Sequence, residues 1–529
     1  MQRKNKSFIL SLLAILFTVS IHTSCIGDLD ALPIDPNLTQ QFQQEGVFAK
    51  IYASFSLTGQ QGASGRGDLA GIVSEGSSQF WRLLWSLQNL TTDEAISAWN
   101  DPGIPELNFS RFESLNINIH GMFARLYFTI TLCNHFLTMT EGMTDERTRR
   151  QRAEVRFIRA LNYFYLMDLF GDVVFADRVT DQLPERILRA DLFDFIIQEL
   201  TEIEADMYAP RQAPQYRADQ AANWLLKSRV FLNAQVYTGT ARWAEAAAYA
   251  RRVMDSAYEL APVYAHLFMA DNDGSGGVNQ APREIILAAA ISGNRIRSHG
   301  ATHFMIAGSR TGGMPPWGGV SAWGGKRARA ALIDKFFPGA IPDEAFINPE
   351  RTLTGGTDVR AMFYVNPATR TREITDVRDF RQGYSVVKFS GLRADGGPTS
   401  DPQWPDTDLP IFRVAEAYLT FAEATLRAGG NANEALAAVN AIRARANAPL
   451  FTLPLTPEMI LEEKAREFFF EGQRRTDLIR FGRFAGGEHV WDWKGGVREG
   501  ARISSHLNVF PIPAAQLLAN PNLRQNPGY

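Results

Sequence analysis

Residues 152–171, with the sequence RAEVRFIRALNYFYLMDLFG, decide the fold class of this 529-residue chain. Apolar residues in this stretch recur at three- and four-residue spacing, which is typical of one buried face of an α-helix. They are Ala153, Phe157, Ala160, Leu161 and Phe164. The pattern predicts a long helix with an apolar face.

The same helical periodicity extends from about residue 118 to 260 and returns from about 410 to 485. Trp243 begins an alanine-rich segment of the kind found in tetratricopeptide-type helix pairs, which repeat at about 34 residues. Asp219 and Thr240 stand where helix N-caps belong, and we expect a helix to begin at Phe412. The sequence therefore predicts a mostly α protein with tetratricopeptide-like repeats and a few short strands.

The segment between the two helical parts, residues 261–409, is rich in loops. It carries the glycine clusters Gly274–Gly277 and Gly396–Pro398 and a short strand-like run at Glu284–Ala289. Loops of this length are usually functional. The last twenty residues contain four prolines and predict extended or turn structure. We expect residues 46–529 to form one interlocked body rather than separate domains.

The N-terminus has the three parts of an export signal. Basic residues come first, the apolar stretch Phe8–Val19 follows, and small residues precede Cys25. This pattern predicts a lipoprotein signal peptide over residues 1–24, with Cys25 acylated and residues 25–45 acting as a tether. Acyl chains hold a protein at a membrane because each buried CH₂ contributes roughly 0.8 kcal/mol. The alternative is an ordinary secretory signal with a coincidental cysteine.

The charge and cysteine content exclude several classes of protein. A net charge of −3 provides no basic surface for nucleic acid, and removal of residues 1–24 makes it −6. Two cysteines cannot form a disulfide framework. Cys133 lies in an apolar run and is predicted to be a small buried side chain rather than a nucleophile.

Four segments resemble the SusD/RagB family, in the same order along the chain. They are Arg152–Gly171, Asp408–Tyr418, Arg466–Leu478 and Pro511–Tyr529. Segments outside these shared motifs, among them Trp491–Gly495, resemble the starch-binding member of the family. The resemblance covers essentially the whole mature chain.

Membership of this family implies a surface-exposed lipoprotein of the cell outer membrane that is not an enzyme. It implies capture of starch or malto-oligosaccharides and their delivery to a SusC-like TonB-dependent transporter. Asp28 and Asp30 resemble the signal that moves such lipoproteins to the outer leaflet. Because repeat-type helices commonly serve as docking surfaces, we expect the N-terminal helical half to face the transporter.

Binding of a sugar requires aromatic platforms for its C–H face and planar polar groups for its hydroxyls. The tryptophans outside predicted helical cores are the candidate platforms: Trp81, Trp85, Trp99, Trp317, Trp323 and Trp404. The resemblance selects Trp99 and Trp323 as platforms and Arg82 as a contact to sugar hydroxyls. It places His299 where the relative has a tyrosine, and Asp101 near an asparagine of the glycan site.

A structural calcium ion is a further expectation. The run Asp271–Gly274 supplies oxygen ligands and a turn, which Ca²⁺ favours. The resemblance implies calcium at the positions of Asp273, Asp406 and Asp408. The alternative interpretation is an Asx-turn and a helix N-cap.

Two other functions stay open. A glycoside hydrolase needs two carboxylates about 5–9.5 Å apart across the scissile bond, and no hydrolase motif is evident among the 57 acids. A binder of another glycan, such as a fructan, would belong to the same family.

A run of charged residues suggests catalysis but has the spacing of ion pairs on and between helices, and we interpret it as structural. It comprises Glu467, Glu471, Arg474, Arg475 and Asp477.

Overall fold

A computed structural model describes residues 42–69, 71, 75–312, 314, 317–319, 321–339, 358–365 and 370–529. The signal peptide, Cys25 and most of the proposed tether lie outside these ranges. The chain divides into Met1–Glu45 and a compact unit, Gly46–Tyr529. No helix within the described ranges is long and apolar enough to cross a lipid bilayer.

Helices dominate the structure, as the sequence predicts. In chain order they are α1 (Gln44–Ala53), α2 (Phe80–Asn89), α3 (Ile104–Asn108), α4 (Ile117–Met139), α5 (Glu146–Phe170), α6 (Arg189–Glu202), α7 (Gln220–Leu232), α8 (Ala234–Thr238), α9 (Trp243–Met254), α10 (Thr302–Ala307), α11 (Ala330–Ile333), α12 (Val414–Arg427), α13 (Ala432–Arg445), α14 (Pro457–Phe468), α15 (Arg474–Arg480) and α16 (Ala514–Ala519).

The strands are short and form antiparallel pairs. In chain order they are β1 (Ala95–Ser97), β2 (Val173–Val174), β3 (Arg186–Ile187), β4 (Ile285–Ala289), β5 (Lys326–Ala328), β6 (Phe363–Tyr364), β7 (Ser385–Val386) and β8 (Leu409–Arg413). The pairs are β1 with β5, β2 with β3, β4 with β8 and β6 with β7. The strands therefore tie loops together rather than forming an extended sheet.

Helix α5 contains the stretch that predicts the fold. The side chain of Asp145 caps it by accepting a hydrogen bond from the Thr148 N–H at 3.0 Å, and Gly171, with φ of +77°, ends it. The predicted apolar face is buried, from Ala153 to Phe164. Helices α4 and α6 both pack against α5, so its C-terminal half is buried all round.

The helices pack in pairs, some of them neighbours in the chain and others distant. α4 packs on α5, α12 on α13, and α9 on both α7 and α12. Asp219 caps α7 as predicted, since its carboxylate accepts from Ala221 N at 2.9 Å. Thr240 does not cap α9, which begins at Trp243. Its backbone N–H instead donates to Thr238 Oγ1 at 3.1 Å, and so belongs to the preceding turn.

Two further local expectations were wrong. Residues from Leu409 to Arg413 form strand β8, which pairs with β4, so helix α12 begins at Val414 rather than at Phe412. The proline-rich tail contains a short helix, α16, preceded by Pro513. The fixed φ of a proline suits the start of a helix, and the four prolines therefore bound α16 instead of excluding it.

The charged residues of α14 and α15 are structural, as predicted, but they are not on the surface. Arg413 Nη2 donates to Glu471 at 2.8 Å, and Arg474 Nη2 donates to Asp93 at 2.8 Å. Each of these four side chains is almost fully buried. Through the interior, these ion pairs join strand β8 to the loop after α14, and helix α15 to the segment between α2 and β1.

Cys133 on α4 is buried, as the sequence predicts. Burial raises the pKa of its thiol to about 12. A thiol with this pKa stays protonated at neutral pH and is a poor nucleophile.

Candidate functional site

The pairing of β1 with β5 brings the two tryptophans selected by sequence to the same end of a strand pair. Ser97 lies opposite Lys326 in the antiparallel register. Trp99 follows β1, and Trp323 precedes β5. The Ala98 N–H donates to the carbonyl of Gly325 at 2.8 Å, which extends the pairing beyond the strands.

Trp99 is held against helix α10. Its ring centroid lies 5.8 Å from that of Phe304, with the planes tilted by 48°. A Cβ on Gly308 would come within 3.0 Å of Trp99 Cη2, so the backbone after α10 approaches the indole closely. The indole is half-buried and keeps part of its surface exposed.

Helix α10 links Trp99 to the second tryptophan. His303 precedes Phe304 on this helix, and its ring lies 4.8 Å from Trp323 and 4.6 Å from Trp404. The Trp323 N–H donates to the Ala307 carbonyl at 2.9 Å. The backbone of Trp323 is therefore fixed to the C-terminal end of α10.

His299 completes this group of rings. Its ring centroid lies 4.8 Å from Trp404 and 5.9 Å from Trp323. The adjacent Ser298 hydroxyl donates to Glu75 Oε1 at 2.9 Å. The rings form two groups joined through neighbouring residues of α10: Trp99 packs on Phe304, and His303 packs on Trp323, His299 and Trp404. We call these six rings together the aromatic arc.

Arg82 lies beside the aromatic arc on the first turn of α2. Gln79 caps that helix and accepts from the Arg82 N–H at 3.0 Å. The guanidinium carbon lies 4.9 Å from the Phe304 ring centroid. Burial lowers the pKa of Arg82, and the exposed carboxylate of Asp101 partly offsets this effect. Arg82 and Asp101 thus place a cation and an anion at the edge of the arc.

A second cation lies below Phe304. Lys326 is fully buried, with Nζ 4.1 Å from the Phe304 centroid and 3.1 Å from the Met305 carbonyl, to which it donates. Burial, with a smaller contribution from the charge of Arg82, holds the pKa of Lys326 well below its usual value. Arg82 and Lys326 both contact the Phe304 ring, and these contacts help to fix its position.

His303 is 4% exposed, and neither of its ring nitrogens has a hydrogen-bond partner among the described residues. Burial and the neighbouring His299 lower the pKa of His303 to about 4. It is therefore a neutral ring at pH 7. It contributes a flat surface and two unused polar atoms to the arc.

Of the five glycan residues selected from the sequence, Trp99, Trp323 and His299 lie in the arc and Arg82 lies beside it, whereas Asp101 is linked to the group only through its charge interaction with Arg82. Of the other tryptophan candidates, Trp81, Trp85 and Trp317 are almost fully buried and belong to the core, whereas Trp404 joins the arc. Phe304 and His303 were not predicted. The spacing of His299 and His303, four residues apart as on one helix face, was the signal that could have identified His303.

The three acids of the calcium expectation lie close to one another. Asp273 and Asp406 line one cavity of about 480 Å³, and Asp408 lines a neighbouring one with Asp273. Burial, with the charges of Asp273 and Asp406, raises the pKa of Asp408 to about 8. Within the described part of the chain, no three acidic, histidine or cysteine side chains converge as a ready coordination group.

Two family descriptions match the chain. One, described as the SusD family, matches residues 364–529. The other, described as "Starch-binding associating with outer membrane", matches residues 71–253. The chain is 42% identical over 535 aligned residues to the starch-binding protein SusD of Bacteroides thetaiotaomicron, with 96% of each chain covered. It is 24% identical to a SusD-like protein of Bacteroides ovatus, with 74% of this chain and 70% of that one covered.

Solved structures show the same fold. A SusD-like protein from Bacteroides fragilis superposes with a TM-score of 0.67 at 21% identity, covering 94% of this chain and all of the other. Surface glycan-binding protein A from Bacteroides thetaiotaomicron, in complex with laminarihexaose, gives 0.67 at 18% identity, covering 91% and 98%. With 42% identity along nearly its whole length to SusD, this chain belongs to the SusD/RagB family.

Proposed function

We propose that this chain captures starch or malto-oligosaccharides at the aromatic arc and delivers them to a SusC-like TonB-dependent transporter. The observation that carries the proposal is the arc itself. Trp99, Trp323 and His299 are half-buried rings of the arc, and Arg82 lies beside it. Aromatic faces take the C–H face of a glucose ring, and a guanidinium donates to its hydroxyls.

The relatives support an α-glucan as the ligand. SusD is named as a starch-binding protein and is 42% identical to this chain. His299 provides a smaller stacking surface than the tyrosine expected from the family resemblance, so affinity and chain-shape preference are the properties that we expect to differ.

Isothermal titration with maltoheptaose tests the proposal. Trp99→Ala should weaken binding at least about tenfold, or ~1.4 kcal/mol, because the stacking platform is lost. Trp243→Ala is the matched control, since this half-buried tryptophan lies on α9 and contacts Arg427 rather than the arc. Equal affinity of wild type and Trp99→Ala would remove the arc from the binding site.

A fructan is the second candidate ligand, because membership of the family does not determine which glycan the protein binds. Affinity gels containing amylopectin, pullulan, levan or laminarin separate the possibilities. Slower migration of the protein in gels with amylopectin, and not in gels with levan, supports an α-glucan ligand. Slower migration with levan alone would show that the ligand is a fructan.

We also propose that the chain has no hydrolytic activity. The family is one of carbohydrate binders, and SusD is named for binding. Prolonged incubation of the purified protein with amylose should leave the chain-length distribution unchanged. Shortened products that persist through repeated purification would instead favour a pair of catalytic carboxylates.

Membrane attachment through Cys25 is proposed from the sequence alone. Growth with labelled palmitate should label the wild-type chain and not Cys25→Ser, and the variant should leave the outer-membrane fraction.

For the transporter, the proposed docking surface is the N-terminal helical half. The loop between α5 and α6 carries exposed apolar residues, which supports this docking surface. Val179 is 55% exposed and Leu183 is 53% exposed. Leu183→Asp should reduce co-purification with a co-expressed SusC-like transporter and leave maltoheptaose binding unchanged.

Calcium is proposed as a structural ion held by Asp273, Asp406 and Asp408. Carboxylates are the oxygen ligands that Ca²⁺ prefers. Burial, with a smaller contribution from the charges of Asp273 and Asp406, raises the pKa of Asp408, and a bound cation would favour its ionised form. A bound ion would fix the loops that carry these acids.

A further inference from the structure

A second cavity opens beside Trp99, apart from the rings that surround His303. Its volume is about 210 Å³, and three aromatic side chains, Trp99, Phe109 and Trp493, line it. Sites for drug-sized ligands measure roughly 300–1,000 Å³, so this cavity has room for a ligand of about one sugar ring. We call it the Trp99–Trp493 pocket.

The far wall of this pocket is rigid. Trp493 Nε1 donates to the Ile374 carbonyl at 2.9 Å, and its ring centroid lies 5.8 Å from that of Phe109. A small buried cluster, which includes Ile374 and Val377, packs behind both rings. A platform held in this way loses little conformational freedom when a ligand stacks on it.

Trp493 also has an unusual backbone conformation. Its φ is +65°, in the left-handed region that bulky side chains rarely adopt. A hydrogen bond from the Trp493 N–H to the Arg498 carbonyl at 3.1 Å maintains this conformation. Conformations of this kind concentrate at ligand-binding sites. Here it accompanies an indole that faces a cavity instead of the core.

The rim of the pocket is polar. Asn100, Asp376 and Arg378 are exposed and line the opening. Arg378 Nη2 donates to Asn100 Oδ1 at 3.2 Å, which connects the loop after Val377 to the segment after β1. Planar amide, carboxylate and guanidinium groups around an aromatic floor have the chemistry that sugar hydroxyls and a sugar C–H face require.

The pocket is continuous with the aromatic arc. Trp99 belongs to both, and the Gly324–Gly325 backbone connects Trp323 to the point where Trp99 packs. Phe380, which is 41% exposed, lies over this backbone, since a Cβ on Gly324 would be 3.2 Å from Phe380 Cδ1. The exposed ring of Phe380 therefore lies against the backbone that leads from Trp323 to the contact with Trp99.

We propose that the Trp99–Trp493 pocket is an additional glycan subsite, which holds one glucose unit of the same α-glucan chain that lies on the aromatic arc. The inference rests on the proposed function. It assigns contact residues beyond the arc: Trp493 as a stacking platform, with Asp376 and Arg378 as partners for hydroxyl groups. A subsite of this kind makes affinity depend on chain length.

The test compares maltotriose with maltoheptaose by isothermal titration of wild type and Arg378→Ala. The longer chain spans the arc and the pocket, whereas the short one occupies the arc alone. We expect Arg378→Ala to weaken maltoheptaose binding by about fivefold, the loss of roughly one hydrogen bond to a charged group, and to leave maltotriose within about twofold. Arg381→Ala is the control, because Arg381 is on the same loop but pairs with Asp379.

A second variant tests the platform. Trp493→Phe keeps a ring in the pocket and should again weaken only the longer ligand. Equal changes for both ligand lengths, or none, would overturn the subsite and leave the proposed function intact. Absence of maltoheptaose binding by the wild type would refute both. Thermal melts of each variant separate loss of binding from loss of folding.

Discussion

The indole of Trp99 rests directly on the backbone of Gly325. A Cβ built on Gly325 would lie 2.4 Å from Trp99 Nε1 and 2.6 Å from Cε2, closer than any real Cβ contact. Gly325 also has φ of +93°, where residues with a side chain are strained. The orientation of the first tryptophan of the aromatic arc therefore depends on the absence of a side chain one strand away.

Gly325→Ala should displace Trp99 and weaken maltoheptaose binding, even though residue 325 need not touch the glycan. We expect a loss of about tenfold, comparable to that of Trp99→Ala, because both changes remove the same platform. Titration calorimetry measures the loss, and the Trp99 emission maximum should shift as its packing changes.

Gly277→Ala separates steric displacement from backbone strain. Gly277 has φ of +77°, but nothing lies within 4 Å of a Cβ built there. This variant should lower the free energy of unfolding by about 1 kcal/mol without a change in glycan affinity. If Gly325→Ala and Gly277→Ala bound maltoheptaose with the same affinity, glycan binding would not depend on the present position of Trp99.

Sequence periodicity predicts the long helices, but it does not predict which charged residues meet in the interior. The face from Ala153 to Phe164 predicts α5 because local spacing determines which side of a helix is apolar. Arg413 and Glu284, in contrast, lie 129 residues apart in the chain and meet only in the folded protein. Local spacing therefore identified ion pairs in α14 and α15 but not their burial.

The functional site was predicted only in part, for a similar reason. The residue pattern gave six candidate tryptophans, and only the family resemblance selected Trp99 and Trp323 among them. Phe304 and His303 lie on α10, a helix of six residues in a loop-rich segment. Such a short helix has too few turns to show periodicity, and its contacts with both tryptophans depend on the β1–β5 pairing.

The burial of His303 predicts a loss of stability in mild acid. Its pKa is about 4 in the folded protein, whereas an exposed histidine titrates near 6.5. Between these values the unfolded chain binds the proton and the folded chain does not, so stability falls as the pH drops from about 6.5 to 4. The expected contribution is on the order of 1–3 kcal/mol.

Urea unfolding at pH 7 and pH 4.5 measures this contribution. The difference between the two pH values should be smaller in His303→Leu than in wild type, since the variant lacks the titrating group. His135→Leu, at an exposed position on α4, is the matched control for removal of an imidazole away from the arc. Identical pH dependence in wild type and His303→Leu would contradict the assignment.

The buried ion pairs predict a second stability effect. Burial alone would raise the pKa of Glu467, but the guanidiniums of Arg445, Arg413 and Arg360 hold it below its usual range. Glu467→Gln leaves these cations without one of their buried anions. We expect the free energy of unfolding to fall by about 3–5 kcal/mol.

The control is an ion pair at the surface. Glu434 pairs with Arg251 at 2.7 Å, and both side chains are exposed. Glu434→Gln should cost less than about 1 kcal/mol. Urea midpoints and slopes for both variants give the comparison. A small effect at both positions would mean that water reaches the Glu467 cluster.

The acidic group around Asp408 predicts a response to calcium. Its pKa of about 8 reflects burial first and the charges of Asp273 and Asp406 second, so a divalent cation should stabilise the folded state. At a calcium concentration 100 times its dissociation constant, the gain would be about 2.7 kcal/mol. Melting in EGTA should occur at a lower temperature than in CaCl₂, and MgCl₂ should substitute poorly because Mg²⁺ keeps its waters.

Asp406→Asn should abolish the calcium response, whereas Asp395→Asn, at an exposed aspartate paired with Arg393, should preserve it. A melting temperature that is the same in EGTA and CaCl₂ would leave these acids with hydrogen-bonding roles alone.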